Sequence, residues 1–213
     1  MTRLRGSAFL TSLLVIALCA CTISGAATLL RFGVEELIVD GENAEARLRP
    51  FTGSAWVGYL ARRDLLADSV GEDASERLAD ISGLLSGAPL SSEAWLELAR
   101  LRRAQGAPLS ETIGALAMSH LTGPNEGPLM GRRVGLALPL WSALPPDIRR
   151  MLISDLIGGG WGYLDQPGQT ALPAVLRLSR EESRAELRAA LSRAGEPGAA
   201  IVRALDLDAS GSN

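Results

Sequence analysis

From Ala8 to Leu30 the chain runs without a charged residue, a span longer than the about 20 residues a helix needs to cross a bilayer core. Beyond it apolar positions recur at three- and four-residue intervals, the period of a helix with one buried face. Val34, Leu37 and Ile38 predict a short helix or linker before acids and arginines take over near Arg49. Pro50 and Gly53 punctuate the chain. Trp56, Leu60, Leu65 and Leu66 then predict a helix within 54–68. Leu78, Ile81, Leu84 and Leu85 predict another within 73–86, closed by Gly87 and Pro89.

The same pattern continues downstream. Ser91 and Ser92 suit a helix N-terminus, with Glu93 in the first turn where the helix dipole favours an anion. The apolar stripe is Trp95, Leu98, Ala99 and Leu101, and Gly106 stops it. Ser110 suits the cap of the next helix, whose stripe is Ile113, Leu116, Ala117 and Leu121, ended by Gly123-Pro124. A helix is predicted over 129–144, kinked or split at Pro139, which cannot donate the helical N–H. Pro146 opens the stretch Ile148 to Ile157. Gly158 to Gly162 break it, and Asp165-Gln166-Pro167-Gly168 predicts no helix start. Ser179 with Glu182 has the spacing of a capping box for a helix ending at Gly195 and Pro197. A short helix over 199–207 precedes a polar tail. The predicted class is all-α: an N-terminus (1–7), an apolar span (8–30), a linker (31–53), a helical domain (54–207) and a disordered tail (208–213).

Trp95, Leu98, Ala99, Gly106 and Pro124 together resemble a tetratricopeptide repeat, a unit of ~34 residues built from two antiparallel helices. Arg102 stands where that family usually has an aromatic residue, and Arg133 where the next unit would have a core leucine. The resemblance covers about 54–157. It implies tandem hairpins, with the Trp95 ring wedged between its two helices. It also implies a concave groove into which Glu93, Leu96, Arg100 and Arg103 project as partner-binding residues. An irregular helical bundle is the alternative.

Arg3 and Arg5 precede the apolar span, while Glu35 and Glu36 follow Arg31. The positive-inside bias then places the N-terminus in the cytoplasm and the remainder across the membrane, in the periplasm of a bacterial cell. Three fates of the span share that outcome. It is kept as a single-pass anchor, or cleaved after Ser24-Gly25-Ala26, or lipidated at Cys21 within Leu18-Cys19-Ala20-Cys21. Both cysteines lie in this leader, so no disulfide can staple the domain and packing alone must hold it.

Composition removes several chemistries. Aromatics are only 4% against 47% hydrophobic residues, so the core must rest on aliphatic packing. All 21 basic residues are arginine, which excludes a Schiff-base lysine and a Walker-type phosphate lysine. A formal charge of −3 with no basic run argues against a nucleic-acid partner. One histidine and no cysteine beyond the leader leave no ordinary zinc set and no cysteine nucleophile. No cofactor is expected.

The remaining candidates are few. His120 lies on the apolar face of its helix and reads as a hydrogen-bonded boundary residue. Gly158–Tyr163 reads as an inter-helix connection pinned by Trp161 and Tyr163, since a phosphate cradle needs a preceding strand. Asp40-Gly41-Glu42-Asn43 lacks the calcium-loop pattern and reads as a solvated turn. Glu181 and Glu182 read as a solvated face beside Arg180 and Arg184. Arg100, Arg102 and Arg103 either complement a helix C-terminus or offer guanidinium forks to a carboxylate or phosphate. Small residues recurring at Ala17, Cys21 and Gly25 weakly suggest helix self-association in lipid. The expected function is a membrane-anchored adaptor or scaffold, accessory to envelope or exopolysaccharide assembly, that binds a protein, an anionic peptide or an anionic glycan. An enzyme using Asp155 or Asp165 and a structural subunit of a membrane complex are the alternatives.

Overall fold

The structure is a computed structural model that describes the backbone of residues 3–38, 43–68 and 74–208. The protein is all-α, and no strand occurs among the described residues. The chain divides between Ala88 and Pro89, inside the span expected as one helical domain, into two compact units.

In the first unit, α1 (Arg3–Ile38) is one uninterrupted helix of 36 residues, long and apolar enough to cross a bilayer. The apolar span and the expected separate linker helix are continuous because no proline or cap interrupts the run at Leu30–Phe32. After an exposed stretch, α1 enters a core at Phe32, which is buried with Leu48, Phe51, Val57 and Ala61. The Phe32 and Phe51 rings meet edge to face with centroids 5.6 Å apart, and the Arg31 guanidinium lies 5.4 Å from the Phe51 ring centre. Glu35 on α1 pairs with Arg47 of α2 (Ala44–Leu48) at 2.7 Å. A 3-10 turn (Arg49–Phe51) leads towards α3 (Gly58–Asp68) and α4 (Ala74–Gly87), whose Ile81, Leu84 and Leu85 are buried as their spacing predicted. Arg62 on α3 donates to the Gly83 carbonyl at 2.6 Å and ties the two helices together. Trp56 is not part of the α3 stripe: it precedes the helix, is 57% exposed, and lies against Gly25. Asp40, Gly41 and Glu42 of the calcium-like stretch lie outside the described residues, as does the tail from Ala209.

The second unit begins with a hairpin of α5 (Ser92–Ala104) and α6 (Leu109–Thr122). Ser91 caps α5, its hydroxyl accepting from the Ala94 N–H at 3.3 Å. The turn is made by Gly106 at φ +70°, a conformation open to glycine at little cost. Ser110 does not cap α6; the helix starts at Leu109 behind Pro108, without a side-chain cap. Pro139 splits the predicted 129–144 helix into α7 (Gly127–Ala137) and a 3-10 segment (Leu138–Ala143). α8 (Pro146–Ile157) follows as predicted, then a 3-10 turn (Gly160–Tyr163) entered through Gly159 at φ +106°. α9 (Gln166–Arg177) has no counterpart in the predicted elements and holds Pro173 inside it. α10 (Glu181–Ser192) starts after Arg180 rather than by a capping box, for the Ser179 hydroxyl is turned back to the Val175 carbonyl. α11 (Glu196–Ala204) begins earlier than predicted, with Pro197 in its first turn. Leu98, Leu101, Leu116, Val134, Leu138, Trp141, Leu152, Leu156 and Leu187 are buried, an aliphatic core with one large aromatic. α8 packs on α7, α6 and α11, and so joins the leading helices to the trailing ones.

Candidate functional site

The second unit carries an open groove of about 430 Å³. Leu96 and Arg100 of α5 line one side, and Arg132 and Leu136 of α7 the next. Tyr163, Leu164 and Asp165, with Gly168 at the start of α9, close the far side. Its shape follows from glycines spaced four apart on α7. Gly127, Gly131 and Gly135 lie on one helix face, as residues at that spacing must. The Tyr163 ring covers Gly127, and a Cβ at Gly131 would meet the Tyr163 backbone and Cβ at 2.9 Å and the Gly160 carbonyl at 3.0 Å. The glycine-rich connection Gly158–Tyr163 is therefore laid directly on α7, with Tyr163 holding it there, as its aromatic residues implied. Gly135, farther along the stripe, leaves 3.3 Å between such a Cβ and Leu164 Cδ2, where the groove opens.

Leu164 and Asp165 are set by the start of α9. The Asp165 carboxylate accepts the Gly168 N–H at 2.8 Å and caps the helix, while the Gln169 amide donates to the Trp161 and Leu164 carbonyls. Asp165 thus has a structural role in its loop. The spacing of glycines on α7 was visible in the sequence and is the signal that would have pointed to this groove.

The groove rim is charged and internally matched. Arg100 Nε donates to Glu97 at 2.8 Å, and this hydrogen bond raises the Arg100 guanidinium above its ordinary pKa. Arg132 pairs with Glu93 at 2.9 Å and lies 3.7 Å from Glu97. Of the four residues expected to face a groove, Leu96 and Arg100 line this one, and Glu93 reaches its rim through Arg132. Leu96 is almost fully buried, so it forms floor rather than a projecting contact. Arg103 is exposed and does not line the groove. Arg102 instead bonds α6, its Nη1 donating to the Glu111 carbonyl at 3.2 Å.

A second constellation lies beneath the surface. Arg133, 2% exposed, makes two hydrogen bonds to Asp155, from Nε at 2.8 Å and from Nη2 at 3.1 Å. Its Nη1 donates to the Gly123 carbonyl at 3.1 Å, and at 3.4 Å to the carbonyl and hydroxyl of Ser119. The Ser92 hydroxyl donates to the same Ser119 carbonyl at 2.7 Å. His120 Nδ1 sits 3.2 Å from Asp155 Oδ1, off the line a hydrogen bond needs. A cavity of about 20 Å³, room for about one water, adjoins His120, Arg133 and Asp155. This cluster joins α5, α6, α7 and α8. It explains why arginine occupies a place where a repeat would carry leucine: its charge is met by a carboxylate from α8. Asp155, a candidate acid in the enzyme alternative, is buried in that pairing.

Trp95 departs from the repeat expectation. Its ring is half-buried at the outside of α5, and its N–H donates to the Pro89 carbonyl at 2.8 Å, bracing the incoming loop. The positions facing the core are Ala94, Leu98, Ala99 and Leu101. Among the described residues no group of three or more His, Cys, Asp or Glu converges on one point. No family model matches the chain, nor does any curated protein or solved structure.

Proposed function

We propose that this protein is a membrane-tethered adaptor that presents the groove of its second unit to an extended protein segment. The observation that carries the reading is the groove itself. It is open, floored by Leu96, Leu136 and Leu164, and framed by helices that glycine contacts hold at close range. An apolar side chain of the partner would lie over Leu136 and Leu164. A neighbouring carboxylate would exchange with Glu93 or Glu97 for the fork of Arg132, a geometry suited to bidentate pairing. The apolar floor favours a peptide over an anionic glycan. Catalysis is less well supported, since Asp155 is paired with Arg133 and Asp165 caps α9.

The tether is supported by α1, which is long and apolar enough to span a bilayer, and the arginines that precede its apolar stretch favour folded units on the periplasmic side of a bacterial inner membrane. Service in envelope or exopolysaccharide assembly is the setting we propose for such an adaptor. The test is a photo-crosslinking amino acid at Tyr163, at the groove edge, in the full membrane-bound chain. A discrete adduct is expected from Tyr163, none from the exposed position Glu182, and loss of the adduct when Arg132 becomes Glu and Gly135 becomes Leu. An adduct indifferent to both groove substitutions would refute the assignment. A periplasm-active phosphatase fused after Asn213 should be active; activity only with a cytoplasmic reporter would reverse the orientation.

A further inference from the structure

Trp56 is the most exposed of the aromatic rings described in the first unit. Phe32 and Phe51 are buried, whereas Trp56 is 57% exposed. One ring face covers Gly25 of α1, where a Cβ would come within 3.0 Å of the indole. Among the described residues its indole N–H donates to no protein acceptor, while its backbone N–H donates to the Ser54 hydroxyl. Tyr59, one turn on, is 40% exposed. An amphipathic ring with one apolar body and one free donor, held against an apolar helix, is the pattern of a side chain seated at a membrane–water boundary.

Distance along α1 supports the same placement. Gly25 stands about twenty residues beyond Arg5, and at a rise of about 1.5 Å per residue that is about 30 Å, the thickness of a bilayer's hydrocarbon core. A boundary at Leu30 would instead sink Trp56 about 7 Å into hydrocarbon. The non-helical turn before α3 would sink too, although the Ser54 hydroxyl accepts its Trp56 and Val57 N–H groups. Irregular backbone facing lipid is strongly disfavoured.

We infer that the turn of residues 54–57 and the start of α3 rest in the outer interface of the bilayer, with Trp56 as the anchor, and that the hydrocarbon ends near Gly25. This rests on the tethered reading above and adds where the membrane surface lies. Residues 26–38 of α1 then stand in the interface and beyond it, as part of the first unit.

The test uses the full chain in vesicles of phosphatidylcholine and phosphatidylglycerol, with brominated lipids as quenchers. The Trp56 signal is the difference between the native chain and W56F. Expected are a blue-shifted difference spectrum and stronger quenching by lipids brominated near the carbonyl end than near the chain terminus. A signal quenched by aqueous iodide but by neither lipid would overturn the interfacial seat. Stronger quenching by the deep bromines would overturn the Gly25 boundary. Vesicle flotation separates the two ideas: a chain that floats with either adverse pattern refutes only this inference, and one that fails to float refutes the tether and the inference together.

Discussion

Replacing Asp155 by Ala should destabilise the second unit by about 3–5 kcal/mol, the usual cost of leaving one buried charge without its partner. The geometry sets that magnitude. Both side chains are 3% exposed, so water cannot take over from the lost carboxylate, and two hydrogen bonds to Arg133 vanish at once. The nearby His120 cannot compensate, since it has no negative charge to offer. The double substitution of Arg133 by Met and Asp155 by Leu should recover most of the loss, because no charge is then buried. Recovery should stop about 1–2 kcal/mol short of the native chain. The Gly123 carbonyl would have lost the Arg133 donor, whereas the Ser119 carbonyl keeps Ser92. The assay is urea unfolding of the full chain in mild detergent, read from tryptophan emission, with Trp141 as the buried reporter of this unit. A loss under about 1 kcal/mol for Asp155→Ala, or a double variant no better than either single one, would show that the pair does not carry the packing of α7 on α8.

Gly131→Ala should cost about 1–3 kcal/mol in the same melt, despite the better helix propensity of Ala, because its Cβ has no room beside Tyr163. Gly135→Ala should be neutral or mildly stabilising, since only Leu164 must shift; equal losses at the two positions would mean the glycine stripe is not what sets the groove. Trp95→Phe should cost about 1 kcal/mol, the worth of its bond to Pro89, and a loss above 3 kcal/mol would restore the ring to the hairpin core. Thermal melts should be the same with and without reductant, because both cysteines are exposed on α1 and belong to neither buried core; a reductant-dependent melt would point to pairing between chains.

What could be read in advance depended on how local the cause was. Ser91, Gly106, Pro139 and Pro146 act within a turn of their own position, and each delimits a helix or turn where its chemistry says it should. The sequence pattern hides α9 because Pro167 and Pro173 have the chemistry of helix breakers. Pro167 sits in the first turn, where its missing N–H costs nothing, and Pro173 is buried, so packing of Leu172 and Leu176 offsets the lost bond. Arg133 was conspicuous as a misfit in an apolar series, yet its partner lies 22 positions away on another helix and no periodicity could name it. Two of the groove residues, Leu96 and Arg100, followed from the hairpin register. The opposite wall did not, because it depends on the 3-10 turn folding back over α7.

Phe32 ties the first unit's core to the long apolar helix. The ring that completes the first unit's core belongs to the same helix that forms the apolar span, so residues 44–88 supply all of that cluster except Phe32. A cut between Glu35 and Ile38 would release a chain whose first unit has lost the Phe32 ring, its edge-to-face contact with Phe51 and the Glu35–Arg47 pair. A cut after Ala26 would keep Phe32 but strip Trp56 of its seat on Gly25. Integrity of the first unit's core is thus tied to the continuity of α1 beyond Glu35, while the cover over Gly25 depends on the stretch before it.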